Sequence, residues 1–302
     1  MKVRRWFRQF AVRGVFWRRY LDFGVTNVPI YLRAVMVFLW SNFFFLIATC
    51  ARRAILGNLA VILPNESRLT KYARAWLTFY HFAWTIADAA DHKLAQTEFV
   101  YAVEGEEFLE QLARGRGAIV LTAHMGNYDL GAALFAQRYR REIHMVRAPE
   151  ADPATARHLD QSLERAGAGA VKVAYNTSAT ALPLELLNAL RAGEIVSIQG
   201  DRAIAGVSQR EARLFGEVVR LPDGPFILAL VAEVPIYPLF IWRSAFHRYR
   251  ILAGAPIHCR RDGASREAAV EAALAIWCRT LEHVVRPNWS HWFSLVPIFP
   301  AR

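Results

Sequence analysis

Hydrophobic and polar positions fall into two rhythms along the chain. From about Arg68 to Leu94, aromatic and alanine positions recur every three or four residues, the period of an amphipathic helix. Beyond that segment come short apolar runs at Phe99–Val103, Ala118–Thr122, Ile143–Arg147, Val171–Ala174, Ile195–Gln199, Ile236–Trp242 and Tyr249–Leu252, all of which read as strands. Stretches of helical period lie between them, at Tyr128–Arg138, Ala154–Ala166, Thr180–Arg191, Pro225–Glu233 and Ser265–Val285. This alternation predicts an α/β fold, a mixed and largely buried sheet flanked by helices. The Gly-Ala stretch at Ala166–Ala170 imitates a dinucleotide-binding loop but follows a helix instead of a strand, so it carries no such reading. No internal repeat, low-complexity linker or clean second domain is visible.

The first 64 residues follow a different pattern. Lys2, Arg4, Arg5, Arg8, Arg13, Arg18 and Arg19 interleave with Trp6, Phe7, Phe10, Val12, Val15, Phe16 and Trp17. A basic amphipathic helix with aromatic anchors suits a membrane interface; a nucleic-acid arm or an ordinary surface helix is the alternative. Val35 to Ala51 carries no charge but falls short of the roughly 20 residues of a simple span. Ser41 and Asn42 in its middle make lipid exposure costly, and arginines on both sides give no orientation. The expectation is a monotopic or re-entrant membrane anchor, with a buried core helix as the alternative. The apolar run also starts too far from Met1 for a signal peptide. The chain thus divides into an anchor over 1–64 and an α/β domain over 65–302.

Composition narrows the partners. At 54% hydrophobic and 21% charged, the 302-residue chain is not disordered overall. Nineteen Phe, ten Tyr and nine Trp suit contact with lipid, although a large core also absorbs such residues. The formal charge of +11 predicts attraction to nucleic acid, anionic headgroups or an acidic carrier protein. No zinc-finger spacing, helix-turn-helix signature or RNP motif accompanies it, so no nucleic acid is expected. Cys50, Cys259 and Cys278 are odd in number and lack CxxC spacing, which implies a reducing compartment. His144, His247, His258, His283 and His291 stand outside metal-ligand spacing, and no metal is expected.

The candidate chemistry follows the apolar strand Ala118–Thr122, in Ala123-His124-Met125-Gly126-Asn127-Tyr128-Asp129. A polar cluster where a buried strand gives way to a helix is where open α/β sheets place their sites. Five residues of separation let the Asp129 carboxylate fold back onto His124. Histidine titrates near working pH and can take a proton from an attacking hydroxyl, while a carboxylate on its far nitrogen fixes the tautomer. Backbone N–H groups around Gly126 would stabilise an oxyanion. The alternative is a capping His and an Asp favoured by the helix dipole. Asn127 would orient His124 or cap the helix. Arg147 ends a strand where a guanidinium clamps phosphate, or lies solvated. Asp201 and Arg202 lie on the same sheet edge as His124, Asp201 ordering the site and Arg202 binding phosphate, or as a structural ion pair. Neither a G-x-S-x-G elbow nor a Walker A loop is present.

The segment TAHMGNYDLGA resembles the H-x4-D/E motif of the lysophospholipid acyltransferase superfamily. Within it, the chain is most similar to the lipid A lauroyl/myristoyl acyltransferase family and to the mycobacterial phosphatidylinositol mannoside acyltransferases. The run Arg52–Pro64 with Asn58 and Leu59, the strand ending at Arg147, Ile198–Arg202, Phe215-Gly216, Gly224-Pro225, and Pro287–Trp289 with Trp292 agree in order from Arg52 to Trp292. Two departures stand out: Asp129 replaces the usual Glu, and the family's basic, His-containing C-terminal end is largely absent. The resemblance implies a glycerolipid-acyltransferase-like fold and direct attack of an acceptor hydroxyl on an acyl thioester, with His124 as base and Asp129 as its orienting acid. It also implies acyl carrier protein or acyl-CoA as co-substrate, with no bound cofactor. The acceptor would be a lipid A precursor or similar glycolipid, on the cytoplasmic face of the inner membrane. A glycerophospholipid or other lipid acyltransferase, and a non-catalytic membrane-surface or nucleic-acid-binding protein, are the alternatives.

Overall fold

A computed structural model describes residues 24, 27–95, 98–149, 169–176, 181–203, 206–261, 263 and 265–300. The basic arm and the helix expected at 154–166 lie outside the described residues. Among the described residues, the first complete helices are α1 (Ile30–Ile47), α2 (Thr49–Ile62) and α3 (Arg68–Ala95). Next come β1 (Val100–Glu104), α4 (Glu106–Arg114), β2 (Ala118–Thr122), α5 (Tyr128–Tyr139), β3 (Ile143–Arg147) and β4 (Val171–Tyr175). The remainder holds α6 (Leu182–Arg191), β5 (Ile195–Gln199), the hairpin β6 (Gln209–Leu214) and β7 (Glu217–Pro222), and α7 (Gly224–Ala232). It ends with β8 (Ile236–Ala245), β9 (Arg248–Ala253), α8 (Arg266–Val285) and a single 3-10 turn at Trp289–His291.

Seven strands form one sheet in the order β1-β9-β8-β2-β5-β3-β4. β2, β3, β4, β5 and β8 run parallel, β9 runs antiparallel to β8, and β1 runs parallel to β9, so the sheet is mixed as expected. All five residues of β2 are buried, because β2 lies between β5 and β8 and both of its faces are covered. The pleat sends Ile119 and Leu121 to one face, where they pack with α2, α6, α7 and α8. Ala118 and Val120 go to the other face, against α4 and α5. A strand buried on both sides reads as a continuous apolar run, which is why β2 was plain in the sequence.

The uncharged N-terminal stretch is broken. α1 and α2 meet at Ala48 with a 90° bend, and no single helix among the described residues is long and apolar enough to cross a membrane. α1 packs Val37 and Ser41 inward, Val37 against Trp84 and Ala87 of α3. Its other side exposes Tyr31, Leu32, Val35, Phe38, Leu39, Phe43, Leu46 and Ile47, an apolar stripe at helical spacing, with Tyr31 73% and Leu46 68% exposed. α2 turns into the protein although it precedes residue 64: Ala54, Ile55, Leu59, Val61 and Ile62 are buried. Asn58 fastens it to the C-terminal segment, donating to the carbonyls of Ser294 (3.2 Å) and Val296 (3.0 Å) and accepting from Ile298 N–H (3.0 Å). The conspicuous Asn58-Leu59 pair is thus a fastener.

α3 is held to the far strands by a buried ionic group. Arg243 Nε donates to Asp88 Oδ2 at 2.9 Å, and the Tyr249 hydroxyl donates to the same oxygen at 2.7 Å. Arg243 also lies over the Trp84 ring, 4.3 Å from its centroid. Burial pushes the Asp88 carboxyl upward, and Arg243, Tyr249 and His247 oppose that shift. Nearby, Arg33 of α1 pairs with Asp91 at 2.7 Å. None of these partners was legible in sequence, because they lie 58 to 161 positions apart.

Candidate active site

β2 and β5 are paired in register, with Thr122 opposite Gln199. Two residues further along each strand stand His124 and Asp201, which places the imidazole and the carboxylate side by side on the sheet's C-terminal edge. His124 Nδ1 lies 2.7 Å from Asp201 Oδ1. Asp201 Oδ2 accepts the backbone N–H of His124 at 3.1 Å and the Trp292 indole N–H at 2.8 Å. Asp201 is 0% exposed. Burial alone would raise its carboxyl, but the His124 imidazole, its hydrogen bond, the Trp292 donor and Arg202 outweigh burial and hold it down to about 2. Asp201 is therefore ionised across the neutral range. With Nδ1 donating to it, Nε2 is the ring nitrogen left for chemistry.

This geometry corrects the pairing read from the H-x4-D spacing. The carboxylate against His124 is Asp201, and Asp129 is ion-paired to Arg147. The backbone explains the exchange. Gly126 takes a left-handed turn (φ 53°), where an added Cβ would meet the Ile241 carbonyl oxygen at 1.8 Å. Asn127 then caps α5, its side chain accepting from Leu130 N–H at 3.3 Å and donating to the Thr85 carbonyl at 3.4 Å. Asn127 is thus a cap and a tie to α3. Asp129 falls in the first turn of α5 and meets Arg147 at the end of β3. Burial opposes the Arg147 charge, but Asp129 and its hydrogen bond more than restore it and hold the guanidinium cationic. With its charge matched by Asp129, Arg147 is not a bare cation for a phosphate. Arg202 is half-buried, and its charge acts on the Asp201 carboxylate.

The expected oxyanion donors also differ. Gly126 N–H donates to the His291 carbonyl (3.0 Å) and Met125 N–H to that of Ala123 (2.7 Å). The opening turn of α5 leaves first-turn N–H groups without intrahelical acceptors. Tyr128 sits beside the ring, 6.2 Å between centroids at 70°, and burial with the adjacent Asp129 raises its hydroxyl, keeping it protonated. Burial also raises the thiols of Cys259 and Cys278, the latter to about 12, so neither is a thiolate nucleophile.

In the sequence Trp292 stands only within a motif, and His81 carries no signal of its own. The segment 291–293 lies along the His124 loop, and His291 Nδ1 lies 3.3 Å from His81 Nδ1 of α3. Burial, reinforced by Arg243, lowers His81 to about 4, and burial with His81 lowers His291 to about 3. Among the described residues, one group has the donor types of a divalent-metal site: Glu142, His144 and Glu194 at the opposite edge of the sheet. Lys172 already lies 2.5 Å from Glu142, and His144 bonds Glu194, so these groups already have partners within the protein. An open groove of about 540 Å³ lined by Glu104, Phe108, Leu252, Arg279 and His283 also lies at that far edge, away from His124.

Residues 16–300 match the profile of the family described as "Bacterial lipid A biosynthesis acyltransferase". The chain is also similar to the phosphatidylinositol mannoside acyltransferase of Mycobacterium tuberculosis (strain ATCC 25618 / H37Rv), 24% identical over 193 residues, which cover 62% of this chain and 58% of that protein. The protein of the same description from strain CDC 1551 / Oshkosh matches with the same identity and coverage. The chain thus spans somewhat over half the length of these curated relatives.

Proposed function

Because the chain belongs to the bacterial lipid A biosynthesis acyltransferase family, we propose that it moves a fatty acyl chain from a thioester donor to a hydroxyl of a lipid acceptor. The observation that carries this reading is His124 fixed by a fully buried, ionised Asp201, with no activated serine or cysteine beside it among the described residues. In the proposed reaction the acceptor oxygen attacks the thioester carbonyl carbon and His124 Nε2 takes its proton. The tetrahedral oxyanion collapses, the C–S bond breaks, and the departing sulfur takes the proton back from His124. Asp201 stabilises the imidazolium between the two steps. First-turn N–H groups of α5, favoured by the helix dipole, are the donors proposed for the oxyanion.

The proposed donor is acyl carrier protein or acyl-CoA, and the proposed acceptor a lipid A precursor or similar glycolipid. Arg202 is the proposed phosphate contact, since Arg147 is occupied by Asp129. The exposed apolar stripe of α1 supports the proposed monotopic or re-entrant membrane anchor, and the cytoplasmic face of the inner membrane is its proposed place. The net charge of +11 favours anionic lipid.

The test combines labelled acyl carrier protein or acyl-CoA with a total lipid extract, beside flotation with phosphatidylglycerol vesicles. A labelled lipid product from wild type, lost in His124→Ala while flotation is unchanged, is the expected result. Free fatty acid as the sole product would indicate a thioesterase. Undiminished transfer by His124→Ala would sink the mechanism.

A further inference from the structure

After α8 the chain comes back to the sheet edge and braces the site. Phe293 N–H donates to the His124 carbonyl at 2.7 Å, and Gly126 N–H donates to the His291 carbonyl at 3.0 Å. Met125 and Trp292 form an isolated antiparallel bridge between these two contacts. Trp292 is buried, and its indole N–H reaches Asp201 Oδ2 at 2.8 Å. One carboxylate oxygen therefore accepts from the indole and from the His124 backbone, and the other is left to the imidazole.

We propose that Trp292 is a positioning residue for acyl transfer, acting through Asp201 to aim one carboxylate oxygen at His124 and to limit the negative charge that oxygen carries. The proposal rests on the reading of His124 as the base. An Asp201 with no exposed surface cannot recruit bulk water in place of a lost donor. Without the indole N–H, charge would shift onto the oxygen facing the imidazole, and the pair would hold its proton more tightly. Among the described residues, the other charged or titratable groups facing the pair are Arg202 and Tyr128, with the Asp129–Arg147 ion pair beyond Tyr128. Behind the segment, His81 and His291 face each other and Arg243, and burial keeps both histidines neutral near pH 7. They add no titration in the neutral range.

Two variants remove the donor: Trp292→Phe, and replacement of the indole at 292 alone by benzothiophene through amber suppression, which keeps the ring shape. The pH profile of kcat/KM is measured with the thioester donor and the lipid acceptor. In parallel, the rate at which diethyl pyrocarbonate modifies His124 is followed against pH by peptide mass spectrometry, which needs no turnover. The expected result is a kcat/KM about tenfold lower at its plateau. Both acid limbs should move to higher pH by about half a unit or more. A benzothiophene variant with the wild-type profile and the wild-type labelling curve would overturn the proposal, whatever the fate of Trp292→Phe. If wild type turns over no thioester, the proposed function fails, and the labelling curve still decides the role of Trp292.

Discussion

Replacing Asp201 by Asn deletes one negative charge from a fully buried position at nearly constant volume. The aspartate accepts three hydrogen bonds, and their arrangement fixes how an amide must sit there. Two donors, the His124 backbone N–H and the Trp292 indole, converge on one oxygen, and the Asn carbonyl will take that place. Its amide NH2 then faces His124 Nδ1, which must become an acceptor, so the ring proton moves to Nε2 and blocks the proposed base. A wrong tautomer and an unstabilised imidazolium together cost about 10³–10⁴ in kcat, or roughly 4–5.5 kcal/mol. Stability shifts as well. The carboxyl stands at about 2 in the folded protein against an ordinary 3.8, so its setting contributes about 2 kcal/mol above pH 3.8. That contribution falls away as pH drops from 3.8 toward 2, because the folded state then loses its advantage in holding the ionised form. Initial rates from labelled acyl thioester at saturating acceptor, with urea unfolding curves at pH 7, measure both quantities. Asp201→Asn turning over within threefold of wild type would refute the assignment of Asp201 as the partner of the base.

Further outcomes test the surrounding geometry. Asp129→Asn and Arg147→Gln should each lower kcat/KM by about tenfold, with the double variant no worse than the poorer single one; additive losses would show that the ion pair does not act as a unit. Gly126→Ala should destabilise the fold by about 2–4 kcal/mol, because its φ is left-handed and its Cβ meets the Ile241 carbonyl; an unchanged urea midpoint would contradict this. Asp88→Ala should cost about 3–5 kcal/mol by leaving Arg243 buried without its carboxylate, and the midpoint of chemical unfolding measures it.

Much of the scaffold could be read directly because local pattern and burial coincide. β2, β3 and β5 match the expected residues to both ends: β2 is buried throughout, and β3 and β5 each begin with three buried residues and become half-buried only toward their C-terminal ends. α8 starts where Ser265 caps it, accepting from Ala268 N–H at 3.1 Å. α4 was missed because it is a short, strongly polar helix with few buried residues, Leu109 and Leu112. The strands β6 and β7 were not among those expected, since their charged and apolar residues alternate weakly; Phe215-Gly216, noted for its place in the order of motifs, is the turn between them.

By itself the sequence determined the kind of protein this is: an α/β sheet on a chain whose order of motifs marks its family. His124, Asp201, Arg147 and Arg202 were all placed on one sheet edge, because each follows an apolar strand that announces itself. Only the tertiary structure decided who partners whom. Asp129 is five residues from His124 and Asp201 is 77 away, yet strand register brings the distant carboxylate to the imidazole and the helix start turns the near one to Arg147. The same holds for Trp292, Asn58 and Asp88, whose roles rest on contacts across 91 to 240 positions of chain. Local periodicity records which face of an element is buried. It holds no record of which buried groups meet, because register and packing between separate elements set that.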